Sequence, residues 1–149
     1  MLLDALLAWL HFLCIFMLVG TLLAELAFYR RRMDLARITQ LARIDMLYGI
    51  SAGLVVLSGI LRVIFGLKGA AYYLHNPIFW TKMGLFLCLG LLSIPPTLHY
   101  LRIRSRADAS GVVTVDEGGY RRVWALLGIE AGLLALIPLF AAFLASGYQ

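Results

Sequence analysis

His11, Lys82, His99 and Glu130 each interrupt a long apolar stretch of this 149-residue chain. An ionisable side chain at the centre of a bilayer costs on the order of 2.5 to 3.5 kcal/mol, so such residues face a bundle interior, a cofactor or a water path rather than lipid. An imidazole in that setting is suited to ligating a metal or carrying a proton, an ammonium to pairing with an anion, and a carboxyl to holding a proton or a cation. These four residues are the first candidates for chemistry.

The elements that must position them are membrane helices. Hydrophobic residues make up 62% of the chain, against about 45 to 50% in an ordinary soluble domain. A helix needs about 20 mostly apolar residues to cross the hydrocarbon core, and four stretches qualify, at 3–27, 45–66, 79–101 and 123–145. The expected fold is therefore an all-α integral membrane four-helix bundle, a single domain over residues 1–149. The first span has no basic segment before it, and Glu25 and Tyr29-Arg30-Arg31-Arg32 follow it where a small-x-small cleavage site would stand, so it reads as a retained helix.

Ten arginines fall in the first and third connections: Arg30, Arg31, Arg32, Arg37 and Arg43, then Arg102, Arg104, Arg106, Arg121 and Arg122. The second connection, 67–78, carries only Lys68. The positive-inside rule makes the two arginine-rich loops cytoplasmic and puts both termini on the outer, periplasmic side of a bacterial inner membrane. Topology thus accounts for the net charge of +5, and nucleic acid is not an expected partner. Pro95-Pro96 should kink or locally unwind span three, and the long polar stretch from Arg102 to Arg122 has the composition of a loop.

On span one, His11, Cys14, Leu18, Leu22 and Glu25 recur at helical spacing and share one face, which should point inward. Placing all spans at their expected depths yields two polar layers. An outer layer holds His11, Lys82, Arg62 and the loop residue His75; an inner layer holds Glu25, Asp45, His99, Glu130 and nearby arginines. The inner layer mixes charges of both signs, which reads as an ion-pair network pinning the helix ends. The outer layer is basic, with no acidic residue to balance it, so an anionic, electron-accepting group would complete it. Haem meets both demands, with His11 ligating iron, Lys82 as a second ligand or propionate partner, and Arg62 as a propionate partner. His99 could ligate a second haem, but it lies roughly 18 Å from His11 in depth and is no trans ligand to the same iron.

Other chemistries have weaker signals. His11, Cys14, Met17, Met46 and Met83 are ligand types that suit copper, yet Met17 points away from His11 and no Met-x-x-Met or His-x-His cluster occurs. Cys14 and Cys88 have no CxxC spacing and read as small hydrophobes. Gly49 and Gly53 form a small-xxx-small pair suited to close helix packing, within the bundle or across a homodimer. Trp9, Trp80 and Trp124 fall near span ends as interfacial anchors do. There is no Gly-rich phosphate loop, nucleophile elbow or paired-carboxylate catalytic motif.

The segments Ala8-Trp9-Leu10-His11, Trp80-Thr81-Lys82 and Leu98-His99-Tyr100, together with Glu130 in the last span, resemble small bacterial membrane proteins of the CopD-like group, including the HemJ-type protoporphyrinogen oxidases. The resemblance covers nearly the whole chain. It implies haem b binding, with the first-span histidine and the Trp-x-Lys lysine carried over to His11 and Lys82. The segment Ala42-Arg43-Ile44-Asp45-Met46 departs from the HemJ-type pattern at the start of span two, so oxidation of protoporphyrinogen transfers less well than haem binding.

The expected function is that of a haem b protein moving electrons in the membrane, a haem-dependent oxidoreductase with a quinone or porphyrinogen as substrate. The alternative is a small transporter or copper-handling protein, in which His11, Lys82, His99 and Glu130 line a polar path across a dimer.

Overall fold

The computed structural model describes residues 1–67, 69–106 and 111–146. Helix α1 (Leu2–Phe28) is followed by strand β1 (Arg32–Asp34), α2 (Leu35–Phe65), the short α3 (Gly69–Leu74), α4 (Pro77–Arg104), strand β2 (Val112–Thr114) and α5 (Glu117–Ala145). The helices α1, α2, α4 and α5 are each long and apolar enough to cross a membrane. Their outward faces carry side chains such as Phe12, Phe16, Leu57, Leu87 and Leu91, which only lipid would accommodate at this density. α1 packs against α2 and α4 against α5, while α2–α4 and α1–α5 contacts close the ring.

Local chemistry sets the helix ends. Asp34 caps α2 by accepting from the Arg37 N–H at 2.8 Å, which starts that helix ten residues before the expected position 45. The early turns still bury Ile38 and Leu41, so the helical period continues below the apolar run that marked the span. Asn76 caps α4, accepting from Ile78 N–H at 2.9 Å, with Pro77 at the first helical position.

Two expectations need correction. α4 is helical through Pro95-Pro96, without local unwinding. The prolines remove the N–H groups that would bond the Leu91 and Leu92 carbonyls, and on either side of these Ser93 Oγ donates to the Gly90 carbonyl and Thr97 Oγ1 to that of Ser93. Nor is the long polar connection all loop. β1 and β2 pair antiparallel, with Arg32 opposite Thr114 and Asp34 opposite Val112. Gly111, at φ +69°, leads into β2 in a conformation that disfavours other residues, and its carbonyl accepts from the Leu35 N–H at 2.8 Å. Met33 and Val115 are buried beneath this sheet. Lys68 and residues 107–110 lie outside the described residues.

The β1–β2 sheet therefore ties both arginine-rich connections together at one end of the bundle. With Cys14 and Cys88 replaced by alanine, Thr114→Cys in the exposed edge of β2 should react with an impermeant thiol reagent only after the cell membrane is opened. His75→Cys, at the other end, should react in intact cells. The reverse pattern would invert the topology.

Candidate functional site

The outer layer gathers around α2, which packs against both α1 and α4. His11 Nδ1 lies 2.8 Å from Ser58 Oγ, and the Ser58 hydroxyl is itself directed to the Val55 carbonyl at 3.1 Å. A hydroxyl has one proton to give. That proton serves either the Val55 carbonyl, with His11 donating from Nδ1, or His11 Nδ1 itself. In the first arrangement the lone pair resides on Nε2. This is the tautomer and the orienting contact that ligating histidines use.

Lys82 and Arg62 are close enough for their charges to act on His11 and on each other. Among the described residues neither makes an ion pair, and the buried Nε of Arg62 has no hydrogen-bond partner. Asp4 is an addition to the layer expected from the sequence. Its carboxylate accepts from the Leu67 N–H at 3.2 Å, beyond the end of α2, so one acidic residue does reach this end of the bundle. Its first-turn position on α1 is visible in the sequence, but it precedes the apolar face that defines the layer. His75, expected here, is exposed and bonded locally to the Ala71 carbonyl at 2.8 Å.

Gly59 explains how the imidazole fits. A Cβ at position 59 would lie 3.4 Å from His11 Cε1. The small-residue pair singled out in the sequence behaves differently, since Gly49 and Gly53 are exposed and a Cβ at either position would meet nothing within 4 Å. They take no part in packing inside the bundle. Gly59→Val should force the ring off Ser58. Nitrogen NMR of histidine-labelled protein should report an Nδ1-protonated His11 in the native chain and loss of that single tautomer in the variant.

The inner layer is not the expected ion-pair network. Glu25 and Glu130 are 1% exposed and Asp45 is 8% exposed, yet the one ion pair among the described residues is the surface contact Arg31–Glu117 at 2.6 Å. Hydroxyls partner the buried acids instead. Tyr48 OH donates to Glu130 Oε2 at 2.9 Å, Tyr100 OH to Glu25 Oε2 at 3.3 Å, and Thr97 Oγ1 to Asp45 Oδ1 at 2.7 Å. The arginines at this end stay in water, where the cost of desolvating a guanidinium is avoided.

His99 joins the same hydroxyl chain. Its Nε2 is 3.0 Å from Tyr29 OH, so the nitrogen that would ligate a second haem is already engaged. Tyr29 is fully buried just past the end of α1, and burial pushes its phenol well above the ordinary value, with Tyr120 and Asp116 adding to the effect. It remains a neutral hydroxyl at any working pH. His99 also lines a cavity of about 240 Å³ with Arg102, Arg106, Thr114, Asp116 and Gly119. On α1 the two layers are separated by apolar side chains. Cys14, Leu18 and Leu22 are buried along α1 between His11 and Glu25, roughly 21 Å of helix. On the facing helix α2, Tyr48, Ser51 and Ser58 are buried polar residues between the same two levels.

Membrane residence does not rest on composition alone. A family model described as predicted membrane protein, DUF2214, matches residues 3–149. The chain belongs to this family. No curated protein and no solved structure matches it. The DUF2214 description goes no further than the membrane, and carries no CopD-like or HemJ-type link.

Proposed function

We propose that this DUF2214 protein is a redox protein of the bacterial inner membrane that holds haem b in its outer half. The observation that carries the reading is the anchored His11 ring, with Nδ1 held 2.8 Å from Ser58 Oγ, an arrangement that leaves the Nε2 lone pair to ligate when Nδ1 carries the proton. Lys82 and Arg62 beside it supply cationic partners for two carboxylates, without an ion pair of their own among the described residues. The donor set thus fits haem, although neither the cavity beside His99 nor the one lined by Leu35, Thr39 and Arg43 reaches His11.

When bound, haem supplies one-electron chemistry. The chain's own contribution is electrostatic and positional. Ser58 holds the imidazole plane, Gly59 leaves room for it, and the two cations neutralise the ligand's acidic edge. An electron donor dissolved in the bilayer, a quinol or a porphyrinogen, is the class of partner this arrangement would serve. Copper is less well served, because Met17 and Met46 face outward and no group of three His, Cys, Asp or Glu ligands forms among the described residues.

The test is the visible spectrum of protein purified from cells supplied with a haem precursor. A Soret band with sharp reduced α and β bands is expected. A colourless, folded protein that also fails to take up added haem would sink the proposal.

A further inference from the structure

The outer site leaves the buried inner carboxyls without a task. We propose that His99, Tyr29 and Tyr100 form a proton relay from the cavity at the arginine-rich end to the buried carboxyls of Glu25, Asp45 and Glu130. The relay stands apart from the haem reading, and its test requires no cofactor.

Its entrance is the cavity of about 240 Å³ that His99 lines together with Arg102, Arg106 and Asp116. From there His99 Nε2 meets Tyr29 OH at 3.0 Å. The Tyr29 and Tyr100 rings pack together, with centroids 5.7 Å apart, and the relay passes between their hydroxyls through one bridging water. Tyr100 OH then donates to Glu25 Oε2 at 3.3 Å. Glu25 is close enough to Asp45 and Glu130 for all three to interact electrostatically.

The receiving end bears an independent mark. Glu25 Oε1 and Glu130 Oε1 are buried without any hydrogen-bond partner, in residues that are each 1% exposed. An orphaned carboxyl oxygen in an apolar interior is a seat for a proton. The groups facing it are Glu25 from α1, Asp45 and Tyr48 from α2, Tyr100 and His99 from α4, and Glu130 from α5. Tyr120, Asp116 and Arg102 lie nearer the mouth. No lysine or arginine among the described residues forms an ion pair with the three acids, so no fixed cation competes for the seat.

The step balances simply. One proton enters at His99, which then donates from Nε2, and the Tyr29 hydroxyl turns from donor to acceptor. Each hydroxyl passes on its own proton and regains another, and Glu25 gains one with no electron moved.

The experiment is time-resolved infrared spectroscopy of the carboxyl C=O region after a pH jump, on full-length protein in lipid vesicles. The native protein should show a band that responds to the jump, reduced in Glu25→Gln. Tyr29→Phe, which deletes one hydroxyl, should slow the response on the order of 100-fold, the scale of losing one positioned proton-transfer group. His99→Gln, which keeps a hydrogen-bonding side chain without a titrating ring, should slow it similarly. Tyr48→Phe, beyond the entrance, should alter the band without slowing it. Equal rates in native, Tyr29→Phe and His99→Gln proteins would overturn the relay, as would a carboxyl region that never responds.

Discussion

His11→Ala is expected to abolish haem binding while the bundle still folds. The substitution removes the only imidazole of the outer layer, and no side chain on that face replaces it: Cys14 lies one turn deeper and is buried, and Leu18 is inert. Folding persists because the four helices satisfy their backbones internally, with or without a ligand. Lys82 separates two roles. As a propionate partner, Lys82→Ala weakens haem retention and Lys82→Arg preserves it; as an axial ligand, both substitutions change the spin state, because a guanidinium does not deprotonate to bind iron. Pyridine haemochrome quantitation with reduced-minus-oxidised spectra reads both. Full occupancy and an unaltered spectrum in His11→Ala would refute the outer site.

That site is legible in the sequence because one helical period carries it. The face of α1 drawn from His11 through Cys14, Leu18 and Leu22 to Glu25 is the face whose last four members are buried. Arg62 and Lys82 are reachable by counting depth along spans two and three. What the count does not supply is Ser58, since a serine in a small-residue-rich helix reads as packing until its partner 47 residues away is known.

The inner layer departs from expectation for a different reason. Charge alone pairs its acids with arginines at similar depth, although hydroxyls satisfy a buried carboxyl at a smaller desolvation cost. The signal is present in the sequence: Tyr48 follows Asp45 by three residues and Tyr100 follows Thr97 by three, each placing a phenol on the buried face of its helix, while Tyr29 comes four after Glu25, just past the end of α1. The β1–β2 pair leaves no comparable trace. Arg32-Met33-Asp34 and Val112-Val113-Thr114 are too short to show a period, and each strand's partner lies about 80 residues away.

Tyr29→Ala should be among the most destabilising single substitutions in the chain. Tyr29 is fully buried where the end of α1 meets α4 and the start of α5. Its ring stacks on Tyr120 at 5.4 Å, packs against Tyr100 at 5.7 Å, and meets the His99 ring edge-on at 5.9 Å. Truncation removes all three ring contacts and the hydrogen bond to His99. Large-to-small aromatic substitutions in a packed interior cost about 3 to 5 kcal/mol. Tyr29→Phe keeps the rings and loses only the hydroxyl, a change of about 1 kcal/mol. Thermal or denaturant unfolding in mild detergent should therefore rank native, Tyr29→Phe and Tyr29→Ala in that order, with the wide interval falling between the last two. Equal losses in the two variants would mean that the hydroxyl, and not the aromatic cluster, holds this end of the bundle together.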